Sequence, residues 1–421
     1  MTQAHASTLF GAEYEALAQK YRPIFQRIRD TALQREHDRQ LGVDAIQWLK
    51  QARFGAVRVP VEYGGDGATL PQLFQLLIEL ADADSNIVQA LRGHFAFVED
   101  RLNAPRDART EVWLRRFAAG DLVGNAWTEV GDVAIGDVIT RVSKRDGRWV
   151  VNGRKYYSTG SIFADWVDLY ARLEDGTDVI AAVSSHQPGV THHDDWNGFG
   201  QRTTGSGTSV YENATVEDEN IFPFTSRFKY QTAFYQLFHL ATLAGIARAI
   251  TREVAQQVRE RKRIFSTGNA PAVAQDVQVQ QVVGEVSALA YAAEATAIRA
   301  TFAAQRAYDA HWAGDAAQEH QANIDAELES AQGQVAIADL VLRAATQFFN
   351  ALSASATASG KALDRHWRNA RTVALHNPLI YKARIIGDWH INGTEPPYVW
   401  QIGAGPGTVA PGATPPVAKA A

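Results

Sequence analysis

The chain has 421 residues, 46% hydrophobic and 21% charged, with a formal net charge of −5; this balance supports two or three packed units and excludes wholesale disorder. It has no dense Lys/Arg block and no apolar run long enough to span a bilayer, which argues against nucleic acid and membrane as partners. There is no cysteine, and the one methionine is Met1, so disulfides, thiolate metal sites and cysteine nucleophiles are excluded. Internal methionine is a useful filler of core gaps. Its absence fits either a compositional bias or a protein made when sulfur is scarce, which would place it in sulfur acquisition. The first residues, MTQAHASTLFGAEYEAL, lack the basic start and apolar core of a signal peptide, so the expected location is cytoplasmic.

Residues 1–118 read as helical: LFGAEYEALAQKYRPIFQRIRDTALQRE and DAIQWLKQARF place apolar residues at helical spacing. Pro60 and the cluster Gly64, Gly65, Gly67 break the pattern as a loop. Helical periodicity resumes at Pro71, an early helical position that suits proline, and runs to about 102. From 119 to 225 the period becomes two, with Val- and aromatic-rich segments separated by DG, NG and PG turns. This predicts an all-β middle domain. Helix returns at 226 and continues to 402, with three long Ala-rich amphipathic stretches that predict a bundle. The last segment, 403–421, is rich in Gly, Pro and Ala and is expected to be disordered.

Two stretches of the middle domain carry groups suited to holding a ligand. In NAWTEVGD, Asn125 and Thr128 stand where a strand gives way to a Gly-containing loop; their amide and hydroxyl can bond the edge of a heterocycle or simply cap a turn. In GRWVVNGRKYYSTGSIFADW, Tyr156, Tyr157, Ser158 and Thr159 are adjacent before Gly160. Strand alternation would put Ser158 and Thr159 on opposite faces, so that at most one meets a ligand directly. The run His192, His193, Asp194, Asp195 is poor geometry for a metal, because adjacent strand residues face opposite sides; no metal site is expected. No G-x-G-x-x-G unit follows a predicted strand, which argues against NAD(P)H binding within this chain.

TEVGD followed by GRWVVNGRKYYSTGSIFADW resembles the middle domain of the acyl-CoA dehydrogenase superfamily, whose members carry a TEPG-like turn and then a G-W-x-x-N-G-x-K-x-x-x-T/S-x-x-x-A-D signature. EYGGDG at 62–67 and RERKRIF around Arg263 extend the likeness over nearly the whole chain. The resemblance implies an acyl-CoA dehydrogenase-like fold: an N-terminal α-helical domain, a β-barrel-like middle domain and a C-terminal four-helix bundle, assembled as a homotetramer. The Tyr-Glu-Gly-Thr segment that carries the dehydrogenases' catalytic carboxylate is missing. Instead, LDRHWRNARTVALHNP at 363–378 and HDDWNGFGQRTTGSGT at 193–208 are similar to the flavin-dependent monooxygenase branch, of the dibenzothiophene monooxygenase type.

That branch implies a two-component enzyme. A separate NAD(P)H-dependent flavin reductase supplies reduced FMN, with FAD as the alternative, and O2 forms a C4a-hydroperoxyflavin that oxygenates a small substrate. The substrate class it implies is organosulfur, with N- or C-hydroxylation of an amine or aromatic compound, or acyl-CoA dehydrogenation, as alternatives. Carried over residue by residue, His94, Asn125 and His376 take catalytic roles. Asn125, Thr128, Tyr157, Ser158, Thr159 and Trp196 hold the flavin, and Arg263 reaches the flavin phosphate of a neighbouring subunit. Phe95, Phe97 and Trp196 line an apolar substrate pocket. This sequence departs from the branch at Val373, where the pattern has a second histidine three residues before His376.

Overall fold

The computed structural model describes residues 3–131 and 138–397. Six helices come first: α1 (Gln3–Asp38), α2 (Val43–Gln51), α3 (Leu70–Ala83), α4 (Ser85–Ala90), α5 (Arg92–Asn103) and α6 (Ala108–Ala119). Helix α3 begins with a capping box between Thr69 and Gln72, with Pro71 in its first turn. The apolar periodicity from 71 to 102 does not make one helix. Asp84 adopts extended backbone, ends α3, and caps α4 by accepting from the Asn86 N–H. It is held there by a buried ion pair with Arg35, 2.8 Å. This break turns α4 and α5 so that Gln89 and Arg92 share a face.

The strands are β1 (Val123–Ala126), β2 (Thr128–Glu129), β3 (Arg141–Arg145), β4 (Arg148–Tyr156), β5 (Trp166–Leu173), β6 (Asp178–Ser184), β7 (Val190–His192), β8 (Ser209–Val216) and β9 (Ile221–Pro223). They form one mixed sheet in the order β7-β8-β4-β3-β5-β6-β9, with β1 parallel to β5 and β2 antiparallel to β4. The expected alternation fails at β1, whose four residues are all buried. One side meets Ser161, whose Oγ donates to the Asn125 carbonyl at 3.0 Å, and the other meets His94 of α5. A strand covered on both faces has no solvent side to mark with polar residues.

Helices α7 (Gln231–Glu260), α8 (Val277–Ala313) and α9 (Ala316–Gln347) are the long amphipathic elements, followed by short helical turns and by α10 (Arg365–Ala374) and α11 (Leu379–Asn392). Asp276 and Asp315 cap α8 and α9. Phe74 of α3 and Phe95 of α5 pack on Phe238 of α7, with ring centroids 5.2 and 6.0 Å apart. Such pairs add about 0.5–1.5 kcal/mol each beyond their buried area, and here they fasten the first helices to the bundle. Among the described residues no helix is long and apolar enough to cross a membrane. The segment 403–421 lies outside the described residues.

Candidate active site

Strand β4 ends at Tyr156, and Tyr157 turns into the left-handed region at φ 56°. Ser158 and Thr159 therefore follow the strand and do not alternate along it. Both are buried, which corrects the expectation that only one faces inward. Their turn is held by three backbone bonds: Ser158 N–H to the Gly207 carbonyl (3.1 Å), Gly160 N–H to Thr204 (3.2 Å) and Ser161 N–H to Ser158 (3.1 Å). Gly160 has φ +81°, and a Cβ there would lie 2.0 Å from the Ala90 carbonyl oxygen, so only glycine lets the turn seat against the end of α4.

Thr159 Oγ1 lies 2.8 Å from Ser206 Oγ, which lies 2.7 Å from Thr204 Oγ1, a chain of hydroxyls along one wall. Ser158 Oγ and Asn125 Oδ1 are buried with no hydrogen-bond partner. Leaving such groups unmet costs roughly 1–3 kcal/mol each, so the wall is built for a polar ligand edge. Beside it Tyr157 is half-exposed, and its ring lies 5.9 Å, edge-on, from Trp196. Trp196 is fixed through Nε1 to the Gly200 carbonyl (3.2 Å) and by Arg39 donating to its own carbonyl (2.8 Å). Thr128 pairs with Tyr156 at the start of β2 and is half-buried.

The opposite wall is helical. Tyr235, His239 and Thr242 lie on one face of α7 and meet Gln89 and Arg92. Gln89 Nε2 donates to Thr242 Oγ1 (2.8 Å) and lies 3.3 Å from His239 Nδ1, while the Arg92 guanidinium sits over the Tyr235 ring at 5.3 Å. The contact at Nδ1 places the ring proton of His239 on Nε2, which has no partner. His376, just past α10, brings its ring to 4.2 Å from that of His239. His376 is open to solvent. Burial first, then Arg92, holds its imidazole below the ordinary range, and the water that reaches it moderates the effect of burial. Burial, then His376 and Arg92, pushes His239 down as well. Both are neutral imidazoles at pH 7. Arg92, His239 and Gln89 were not among the residues picked from sequence. Their one signal is a polar side chain inside a strongly apolar helical run.

Other expected site residues lie elsewhere. Both ring nitrogens of His94 are taken by backbone: Nε2 donates to the Gly55 carbonyl (2.8 Å) and Nδ1 accepts from the Val123 N–H (3.2 Å). With its pKa pushed down to about 4 by burial, His94 is a neutral brace between α5 and β1 and has no nitrogen left for proton transfer. Phe95 and Phe97 also leave the expected pocket. Phe95 packs in the core against Phe54 (5.7 Å), and Phe97 packs in a second core against Trp113 (4.8 Å). Arg263 is exposed on the segment that follows α7. In the His192–Asp195 run, His192 bonds Ser209, Asp194 pairs with Arg39 and Asp195 accepts from Thr208. A polar cavity lined by Asp82, Asp84, Glu253, Arg365 and His366 shares none of these residues and holds its own ion pairs, His366–Glu253 at 2.9 Å among them.

Residues 237–379 match the family model for the acyl-CoA dehydrogenase C-terminal domain. The probable FMNH2-dependent monooxygenase SfnC of Pseudomonas putida is 29% identical over 359 residues, 83% of this chain and 88% of that protein. Dibenzothiophene monooxygenase of Rhodococcus erythropolis is 25% identical over 398 residues, 89% of this chain and 93% of that one. Among solved structures, methanesulfinate monooxygenase MsuC from Pseudomonas fluorescens matches with a TM-score of 0.80 at 26% identity, covering 91% of this chain and 98% of that chain. FMN-bound TdsC from Paenibacillus sp. A11-2 matches with a TM-score of 0.80 at 25% identity and the same coverage. Over most of its length the chain is similar to flavin-dependent monooxygenases of the acyl-CoA dehydrogenase fold, and its residues 237–379 match that superfamily's C-terminal domain.

Proposed function

We propose that the protein is the oxygenating component of a two-component flavin monooxygenase that acts on a small organosulfur compound in sulfur acquisition. The observation that carries this reading is the pair of buried, unpartnered oxygens, Asn125 Oδ1 and Ser158 Oγ, with Asn125 packed against the start of α5 at Gly93 beside Arg92. These donors and acceptors, with the hydroxyl chain from Thr159, fit the edge of an isoalloxazine ring, and Tyr157 and Trp196 fit its flank. Reduced FMN, when bound there, supplies the electrons and the activation of O2. Arg263, exposed beyond α7, is free to reach a flavin phosphate on a neighbouring subunit of a homotetramer. The name of the Pseudomonas putida relative, a probable FMNH2-dependent monooxygenase, supports a partner NAD(P)H-dependent flavin reductase, and the same reading puts the protein in the cytoplasm.

The chain's own residues orient the reactants and manage protons. Thr159 and Ser206 hold one wall rigid. His376, neutral and open to the cleft, takes or returns a proton at the oxygen that leaves as water. An acyl-CoA dehydrogenase needs a carboxylate here to abstract a proton from carbon. The side chains that meet here are Gln89, Arg92, Tyr235, His239, Thr242 and His376, and none of these is a carboxylate. The test is turnover with photoreduced FMN, ¹⁸O2 and a panel of sulfides, sulfones and sulfinates, read by mass spectrometry. One ¹⁸O atom in an organosulfur product is expected. Bleaching of a bound flavin by an acyl-CoA, with no labelled product, overturns the reading.

A further inference from the structure

Arg92 is the charge in this cleft that has no counter-charge. The residue is 5% exposed, its Nε is buried with no partner, and among the described residues no hydrogen bond or ion pair reaches its guanidinium. The buried acids Asp168, Glu99 and Asp100 pair with other arginines: Asp168 with Arg227 at 3.0 Å, Glu99 with Arg58 at 3.2 Å and Asp100 with Arg101 at 2.6 Å. A guanidinium does not lose its proton in a protein, and burying one unpaired is strongly unfavourable. The fold nevertheless places it on the face of α4 and α5 that fronts the cleft, beside an imidazole whose Nε2 is also unpartnered. Gly93 keeps this helix start tight against Asn125: a Cβ there would lie 2.9 Å from Asn125 Oδ1. The arginine therefore stands at the junction of the helical wall and the polar wall.

We propose that Arg92 anchors a subsite for a small organosulfur oxyanion, held between its guanidinium and the imidazoles of His239 and His376; this rests on the monooxygenase reading above. The oxidisable member of that class is a sulfinate, because its sulfur keeps a lone pair that a sulfonate lacks. One oxygen atom of O2 adds to that lone pair and gives a sulfonate. The other leaves as water, with two electrons and two protons from reduced FMN. The guanidinium donates to two oxyanion oxygens side by side, which leaves the sulfur free to face the oxidant. The other negative charge within reach of such a cleft is that of the reduced flavin itself, and the test separates the two.

The experiment is calorimetric titration of the full-length protein with methanesulfinate and with its neutral counterpart dimethyl sulfoxide, for the unmodified chain, Arg92→Met and Arg92→Lys, alongside FMN affinity by fluorescence quenching. Methanesulfinate should bind and dimethyl sulfoxide should not. Arg92→Met should weaken sulfinate binding at least about 30-fold and Arg92→Lys by less, with FMN affinity within threefold throughout. Because the charge has no hydrogen bond or ion pair among the described residues, only the Tyr235 ring beneath it, Arg92→Met should unfold at the same temperature or higher. Equal binding of the two ligands, sulfinate binding unaffected by Arg92→Met, or a loss confined to FMN affinity each overturns the proposal. If ¹⁸O enters a neutral sulfide while methanesulfinate fails to bind, the anion subsite falls and the monooxygenase reading stands. If no sulfur compound is labelled, both fall.

Discussion

The imidazole of His239, in the middle of α7, lies 4.2 Å centroid to centroid from that of His376, with the rings tilted by 34°. One ring is sealed and the other meets solvent, and each makes protonation of its neighbour harder or is made harder to protonate by Arg92. His376→Ala removes the ring that the cleft can use. Product formation should fall about 100-fold, the scale of a lost acid–base group, while reduced FMN still consumes oxygen and releases hydrogen peroxide. Coupled assays of product and peroxide read this directly, and unchanged product yield would remove His376 from the mechanism.

Ser158→Ala separates ligand binding from folding. The hydroxyl has no partner in the protein, so its removal should leave thermal stability unchanged or slightly improved. A lost flavin contact of about 1 kcal/mol would weaken FMN roughly fivefold. A lower melting temperature together with unaltered FMN affinity would mean that the hydroxyl serves the fold.

Gly160→Ala attacks the seat of the same turn. The left-handed backbone costs an ordinary residue roughly 1–2 kcal/mol, and the new Cβ would lie 2.0 Å from the Ala90 carbonyl oxygen. The turn must lift away from α4. Thermal denaturation should show a clear loss of stability, and FMN binding should weaken with it, because Ser158 and Thr159 move with the turn. Stability equal to the unmodified chain would show that the turn does not depend on this contact.

His94 predicts an acid limb of stability. Its folded pKa of about 4 lies below the ordinary 6.5, so between those values the unfolded chain binds a proton that the native chain does not. Stability is fully present above pH 6.5 and falls as pH drops, by up to about 1.4 kcal/mol per unit from this one group. His192, also pushed down to about 4 by burial, adds to the same limb. In His94→Gln, denaturant unfolding at pH 7 and pH 5 should show a shallower dependence by up to one proton. An unchanged dependence would exclude His94 as its source.

The run GRWVVNGRKYYSTGSIFADW disclosed its local structure in the sequence because the signal is local: a strand, a polar turn and a glycine within 20 residues. The helical wall was not legible in the same way. Gln89 meets His239 across 150 positions, and Leu91 joins two short helices that periodicity reads as one. The pocket histidine is assigned to His94 by the family resemblance alone, since a lone histidine in so apolar a run reads by itself as structural. Two residues away, Arg92 points about 200° round the same helix, and it is Arg92 that faces α7.

Composition, period and turn chemistry by themselves determined the order of helical, β and helical regions and marked the polar run before Gly160, since each depends on neighbours within a few residues. Which side of α5 fronts the cleft, that Phe95 and Phe97 go to two different cores, and that an unpaired arginine stands beside two imidazoles were decided only by tertiary structure. A helix carries every side chain round its axis at a fixed angle, but the packing of distant elements selects the face that meets the ligand.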